Sequence, residues 1–571
     1  MKTEFFVEYD LFDTTALADS TASSDSNSSF GNLGLLKQNV TVPQYATLEH
    51  NFFVLDGKCT EMVDTPDDIV FFSSAQAEED GTFADPPVLK IDFSEKHTSL
   101  GLTFHFSEAW PLEIEICWYD LSGTLLSKKT YEPDSADFFA RNQVEDYCAL
   151  QITFLRALPY HNVKLIQIEY GTTFVWGNDT IKTGKLINDT DPISDKIKTD
   201  KLDFNIVDIE GEFDIGNING LHKVLQKSQR MYPYEMVQGK KILLGTYFLD
   251  GNSTTKSISK ISAIDYKGML AKSDFKQGRI YSGELAGTVI DEIMAAAGIM
   301  EYTVDEETAA MPLYGTLKIQ TCQKALREVL FACRATINTS RRAGIEIKKA
   351  DRRVTGKITR SQKFSTTLQT DVYVSDVQVK YKTWRLDDTV SQITKGTYAA
   401  GIHTIQLTNP AANMTTSAGI ITEQTPYYIV LQMDTAGEVE IYGQKYIGEE
   451  LATVSSIEKI KAGETRNTKT FSGTLLNFEA AQRVADSILD YYQLQQIIQT
   501  KHLSDEEKAG EWMEIENPVA DRGGFVACIE SLTTDLTGGF ISTAKYRGYY
   551  KLLSDYYYDS EIYMDEEVGI I

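Results

Sequence analysis

Residues 257–299 read SISKISAIDYKGMLAKSDFKQGRIYSGELAGTVIDEIMAAAGI, and one kind of hydrophobic period gives way to another within them. Ser257–Tyr266 reads as a strand. Glu284–Ala297 reads as a helix with Leu285, Val289 and Ile293 on one stripe, since each step of four residues drifts only about 40° around a turn of 3.6. Gly298 then supplies a left-handed stop. A strand delivering the chain into a helix makes this region α+β, and the segments on either side decide what surrounds it.

Towards the C-terminus, Thr321 caps a second helix, Cys322–Ala335, with Leu326, Val329, Leu330 and Cys333 inward. Strands resume at Gly344–Lys348 and Asp371–Trp384, where Val377, Val379 and Tyr381 alternate. Residues 385–470 are Thr/Gly-rich and strand-like. Asn477 caps a third helix, Phe478–Tyr492, and a last β block runs from Gln499 to about Tyr558. Towards the N-terminus, Lys201–Val207 and Lys240–Leu249 belong to a β block at about 171–275. Before it, Leu89-Ile91-Phe93, Leu100-Leu102-Phe104-Phe106 and Leu112-Ile114-Ile116-Trp118 alternate cleanly, and Val163 to Tyr170 adds a strand. Period-two alternation with turns every 8–12 residues argues for an antiparallel sandwich over 45–170. Residues 17–32 are Ser/Asp/Asn-rich and read as a loop or an arm that orders on assembly. Residues 1–12 read as a lone strand.

The chain has 571 residues, more than one core accommodates. Its 11% aromatic content favours pleated surfaces. A net charge of −27 repels phosphate backbones, so nucleic acid is not expected on the outer surface. The basic run Lys348, Lys349, Arg352, Arg353, Lys357, Arg360 and Lys363 reads as a solvated strand pair or a contact with an acidic neighbour. The cysteines at 59, 117, 148, 322, 333 and 528 form no CxxC pair and read as buried thiols made in a reducing compartment. The N-terminus lacks a basic region followed by an apolar run, and no stretch of about 18 apolar residues could span a membrane.

The search for chemistry finds no G-x-S-x-G elbow and no H-E-x-x-H. His105 points opposite Leu102 and Phe104, as a surface or interface residue would. GNDTIKTGK at 177–185 lacks the spacing, the terminal Ser/Thr and the following helix of a phosphate loop. Asn188, Asp189, Asp191 and Asp195 form an acidic turn without the Gly and distal Glu of a calcium loop. No cofactor and no metal is expected. Trp110, Trp118 and Tyr119 are flat enough to stack on sugar rings. Trp118, in phase with Ile114 and Ile116, reads as core, which leaves Trp110 and Tyr119 as candidate glycan-binding residues.

The stretch at 257–299 resembles phage tail hub (tail-associated, baseplate hub-like) proteins: a strand ending near Ala263-Ile264-Asp265-Tyr266, Leu270, Phe275, Tyr281, then a helix ending in Gly298-Ile299. TCQKALREVLFACRAT followed by Gly344-Ile-Glu-Ile, GKITRSQKFSTTLQTDVYVSDVQVKYKTW at 356–384 and FVACIESLTTDLTGGFISTAKYRG at 525–548 are similar to the later parts of that family, in the same order. The sandwich is a departure, similar to insertions in prophage tail proteins of Gram-positive bacteria.

The resemblance implies a mainly β protein with α+β parts: two hub-type β-barrels joined by a helical segment, plus the extra antiparallel, jelly-roll-like sandwich. The expected divisions are an N-terminal strand and arm at 1–44, the sandwich at 45–170, a first barrel at 171–275, a helical segment at 276–343, and a second barrel at 344–571 carrying a strand-rich insertion at about 385–470. It further implies a non-enzymatic structural role in a virion, at the tail tip or baseplate, assembled in the bacterial host cytoplasm. The chain would be a homotrimer joining the tail tube or distal tail protein to tip, spike or fibre proteins. The alternative reading is a carbohydrate-binding adhesion protein.

Overall fold

The alternation at 100–106 fixes which side of that strand is buried, and the computed structural model shows what it is buried against. It describes residues 3–37, 49, 69–209, 211, 213, 217, 229–237, 239–460, 462–516 and 524–551. Cys59, His50 and His222 lie outside them, and so does the end of the last β block. The chain divides into two compact units, one of residues 1–6, 176–208 and 231–571, the other of 7–175 and 209–230. Both are mainly antiparallel β.

In the second unit the sheet order is Phe71–Gln76, Asn162–Glu169, Val88–Phe106, Asp137–Arg156, Glu113–Tyr119, Leu125–Tyr131, with Thr21–Ser23 added against Val88–Phe106. The strands Val88–Phe106 and Asp137–Arg156 are 19 and 20 residues long, too long for one flat layer. Their pairing shifts register at Asp92/His97, His97/Ser99 and Ser99/Gly101, and such bulges bend and twist the pair. The inward residues Leu89, Ile91, Leu102, Phe104, Ile114, Ile116, Trp118 and Ile152 are all buried. Each contributes about 1.5–3 kcal/mol by leaving water.

Ala16, Leu35 and Leu36, which flank the Ser/Asp/Asn-rich part of the sequence, share that core. Asp13 accepts from the Thr15 and Ala16 amides and so caps the short helix Thr14–Asp19. His97 clamps the helix down, with Nδ1 3.0 Å from Asp13 Oδ2 and Nε2 3.0 Å from Asp19 Oδ2. The Asp13 amide also donates to the Tyr170 carbonyl at 2.8 Å. Beside that bond, Gly171 has φ 144°, and a Cβ there would lie 1.8 Å from the Leu11 carbonyl oxygen, so only glycine fits.

In the first unit the helices form a core over the inner ends of the strands. Val289, Ile290, Ile293 and Met294 of Ala286–Ala297 pack with Leu326, Val329 and Leu330 of Cys322–Cys333. Ala481, Val484 and Ile488 of Phe478–Tyr492 join them, with Val377 and Val379 beneath. Thr321 and Asn477 cap their helices as expected, accepting from the Lys324 and Ala480 amides. Gly298 is left-handed at φ 68° and ψ 28°.

Leu285 departs from the sequence expectation. It is 50% exposed and ends the strand Arg279–Leu285, paired with Pro312, so the helix begins at Ala286, two residues later than expected. The stripe therefore runs through Val289, Ile290, Ile293 and Met294. Strand pairing outcompeted a helical position that the period alone allowed.

The two β blocks do not close into separate barrels. Ile181–Asp189 pairs with Lys201–Val207 on one side and with Gly524–Asp535 on the other. The order then runs outward through Ile541–Tyr550 and Gln496–Leu503 to Lys363–Thr370, and in the other direction through Ile258–Asp265, Tyr247–Thr255 and Arg230–Val237. Ladder bonds that would have closed each block on itself instead join one block to the other. Among the described residues the sheet remains an open path.

Residues 376–456 form a long ribbon, paired from Asp376↔Ser456 to Tyr398↔Gly437 with register shifts at Leu386/Val390 and Gln392/Thr394, that bears a small β lobe with its own core of Ile405, Met414, Ile429, Leu431 and Ile441.

Candidate functional site

The strand Ile258–Asp265 ends where the helix Tyr266–Lys272 begins, and that junction places Asp265 and Lys267 inside the protein. Asp265 caps the helix by accepting from the Gly268 amide at 3.2 Å. Lys267 Nζ donates to Asp200 Oδ1 at 2.7 Å and to the Asp189 carbonyl at 3.1 Å, and lies 3.5 Å from Asp265 Oδ2. Thr339 Oγ1 donates to Asp265 Oδ2 at 2.6 Å, and Asn188 Nδ2 to Asp200 Oδ2 at 3.0 Å. The Asp200 amide donates to Asp265 Oδ1 at 3.1 Å. Asp200, Asp265, Lys267, Asn188 and Thr339 are all buried to within 3%.

Burial pushes the Asp265 carboxyl up, to about 7, against the pull of the Lys267 ammonium. Burial also opposes the ammonium, but the Asp200 and Asp265 carboxylates outweigh it and hold Lys267 above the ordinary lysine value. The centre joins the neighbouring strands around Asn188 and Asp200 to two segments distant in sequence, at Asp265–Lys267 and at Thr339. With no member exposed to solvent, it is built to hold the fold.

A second buried centre lies at the closing hairpin. Arg547 Nε donates to Glu530 Oε1 at 2.8 Å, Nη2 to Asp371 Oδ2 at 2.6 Å and Nη1 to the Leu494 carbonyl at 3.1 Å. Tyr491, on the helix Phe478–Tyr492, donates to the same Glu530 oxygen. Burial works against an ionised Glu530, yet the donors Lys545, Tyr491 and Arg547 hold its carboxyl below the ordinary range. A buried arginine whose planar fork donates to two carboxylates and a carbonyl fixes geometry as well as charge.

The residues singled out from the sequence are dispersed. Trp110 is half-buried against the sandwich core. Tyr119 is half-buried at the far end of Glu113–Tyr119, across from Leu125. Trp118 is fully buried between them. His105 is half-buried, with Nδ1 2.7 Å from Asp137 Oδ1 and Nε2 3.3 Å from Glu169 Oε2. The Glu169 hydrogen bond, with help from Asp137, raises its pKa despite burial.

In the acidic turn, Asp191 accepts from the Ile193 and Lys196 amides, and Asp195 accepts from Arg327 at 2.8 Å. The stretch 177–185 is a turn running into the strand Ile181–Asp189. In the basic run, Lys348 lies 3.4 Å from Glu346, Lys349 pairs with Glu307, and Lys357 lies 3.7 Å from Glu514. Cys322 and Cys333 are buried, and burial pushes their thiols up to about 11 and about 12.

A groove of about 520 Å³ on the first unit is lined by Lys185, Lys260, Lys501, Asp203 and Asp535 among Thr side chains. Lys185 lies cross-strand from both Asp203 and Asp535, so its charges offset one another. Among the described residues no group of three or more His, Cys, Asp or Glu could hold a metal, and no helix is long and apolar enough to cross a membrane.

Sequence reasoning did not assign the two buried centres. Asp265, Lys267 and Glu530 stand in otherwise largely apolar stretches, and a charge in such a run is the signal that could have found them; Arg547, between Lys545 and Lys551, carries no such signal.

No protein-family model and no curated protein sequence matches the chain. Three solved tail proteins are similar to it. The tail protein from Neisseria meningitidis MC58 is 12% identical over 64% of this chain and 92% of its own, at a TM-score of 0.40. The 43 kDa tail protein of prophage MuSo2 from Shewanella oneidensis is 9% identical over 66% and 95%, at 0.38. Prophage tail protein gp18 from Listeria monocytogenes EGD-e is 7% identical over 67% and 93%, at 0.37.

Proposed function

We propose that the chain is a non-enzymatic structural hub of a phage tail or phage-like particle, joining the tail tube to the distal tip or spike as a homotrimer. The observation that supports this best is the fate of the polar residues in the hub-like motifs. Asp265 and Lys267 in one, and Glu530 and Arg547 in another, are turned inward and taken up by ion pairs. Motifs whose charged groups are buried and mutually bound serve architecture, because catalysis needs such groups open to a substrate.

On this reading the sandwich faces neighbouring proteins or glycans. The half-buried Trp110 is the residue that favours a glycan, since a ring with one open face can stack on a sugar.

The test is to purify particles from the producing cell and label them with antibody to this chain. Label at the distal end of the tail is the expected result. Absence of the chain from particles overturns the proposal. For the glycan reading, Trp110→Ala should abolish retention on cell-wall polysaccharide, and unchanged retention removes Trp110 from that role.

A further inference from the structure

The strand Lys363–Thr370, sequence KFSTTLQT, ends the sheet and pairs on one side only among the described residues. The pairing shifts register between Lys363 and Ser365 and then runs without a break from Ser365↔Lys501 to Thr370↔Gln496, so the edge is regular over 365–370. Proteins usually blunt such an edge with a proline, a bulge, an inward charge or a covering element, because its free N–H and C=O groups template another strand. After Lys363 this strand carries no charge and no proline.

Its side chains are also open. Phe364 is 59% exposed and Leu368 38%. Leu368 lies cross-strand from Ile498, which in turn lies cross-strand from Tyr546, and both of these are fully buried. The apolar row that forms core further in therefore emerges uncovered at the edge.

The charge pattern says what fits there. The three outermost strands, Lys363–Thr370, Gln496–Leu503 and Ile541–Tyr550, carry Lys363, Lys501, Lys545 and Arg547 and not one Asp or Glu. The chain as a whole has 82 acidic residues and a net charge of −27. Lys545 and Arg547 are already bound by Glu530 and Asp371, so while two copies repel over most of their surface, the exposed Lys501 is what draws an acidic neighbour to this margin.

We propose that Lys363–Thr370 is the strand through which a second copy of this chain adds to the sheet, by backbone pairing with one of its own strands while its acidic surface meets Lys501. Such a contact joins unlike surfaces, and contacts of that kind repeat into a closed ring. The inference rests on the homotrimer reading above and names the edge that would serve it.

The test uses the full chain. Native mass measurement should find assemblies of the 64.0 kDa chain, and hydrogen exchange at 364–370 should be about tenfold slower in them than in diluted monomer. Phe364→Lys with Leu368→Lys, both at exposed positions, should leave the melting curve unchanged and the chain monomeric. An oligomer with unaltered exchange at 364–370, and a double variant that assembles like the parent, overturns the edge assignment and leaves the tail role standing. A parent that is monomeric at every concentration overturns the edge and the homotrimer together. Protection that arises only inside a particle, from a chain that is monomeric alone, assigns the edge to a different protein and also overturns the proposal.

Discussion

Lys267 Nζ lies 2.7 Å from Asp200 Oδ1, and neither side chain is more than 3% exposed. A buried ammonium with two carboxylates around it is worth less than its Coulomb attraction, because all three gave up water. Removing one partner is far more damaging than the net value of the pair, since it strands the charge that remains.

Lys267→Met should therefore destabilise the first unit by about 3–5 kcal/mol, the range for breaking a buried pair. Chemical denaturation followed by tryptophan fluorescence measures it. Asp265→Asn keeps an oxygen to cap the Gly268 amide and should lose less. Equal losses in the two variants would show that the Asp265 charge matters to this junction as much as the Lys267 ammonium.

Val289 and Leu285 separate the two possible helix phases. Val289 is fully buried, and Val289→Asp should cost about 3 kcal/mol or more through an unpaired buried charge. Leu285 is the N-cap residue and makes no side-chain cap bond. Leu285→Asp puts a good cap at that position and should stay within about 0.5 kcal/mol of the parent or gain stability. Thermal unfolding of both variants decides the phase.

His105 sets a pH dependence in the sandwich. Its pKa is raised in the folded state by Glu169 and Asp137. A raised histidine contributes stability that is fully present below its unfolded value of about 6.5, and loses it as pH rises through the folded value. The site is partly exposed, so the effect should stay below about 1 kcal/mol. His105→Gln should lower the melting temperature at pH 5.5 and leave it nearly unchanged at pH 9. A loss that is equal at both values would show that the histidine acts by packing alone.

The Asp13–Tyr170 hydrogen bond brings together the two ends of 13–170. Replacing those residues by two glycines should leave a soluble chain whose first unit melts as in the parent, because closely spaced ends tolerate excision. Aggregation of every such variant, whatever the linker, would show that the first unit depends on the sandwich.

The sequence by itself determined the class of most segments, although 17–32, read as a loop or arm, holds the end of the helix Thr14–Asp19 and the strand Thr21–Ser23. Alternation at 89–106 and 112–118 marked strands that are strands, and Thr321, Asn477 and Gly298 marked helix ends that are helix ends. These signals are local: a period, a cap, a left-handed glycine. Tertiary structure decided what lies far apart in the chain. Ile181–Asp189 pairs with Gly524–Asp535, more than 300 residues away, and so two blocks that read as barrels became one sheet. Leu285 obeyed the helical period but was taken by a strand partner at Pro312. Asp200, Asp265 and Lys267 read as scattered charges, and only the folded chain brings them within bonding distance. Periodicity specifies which face of an element is apolar, whereas the choice of partner depends on loop closure and on competition among many similar edges, which no local pattern records.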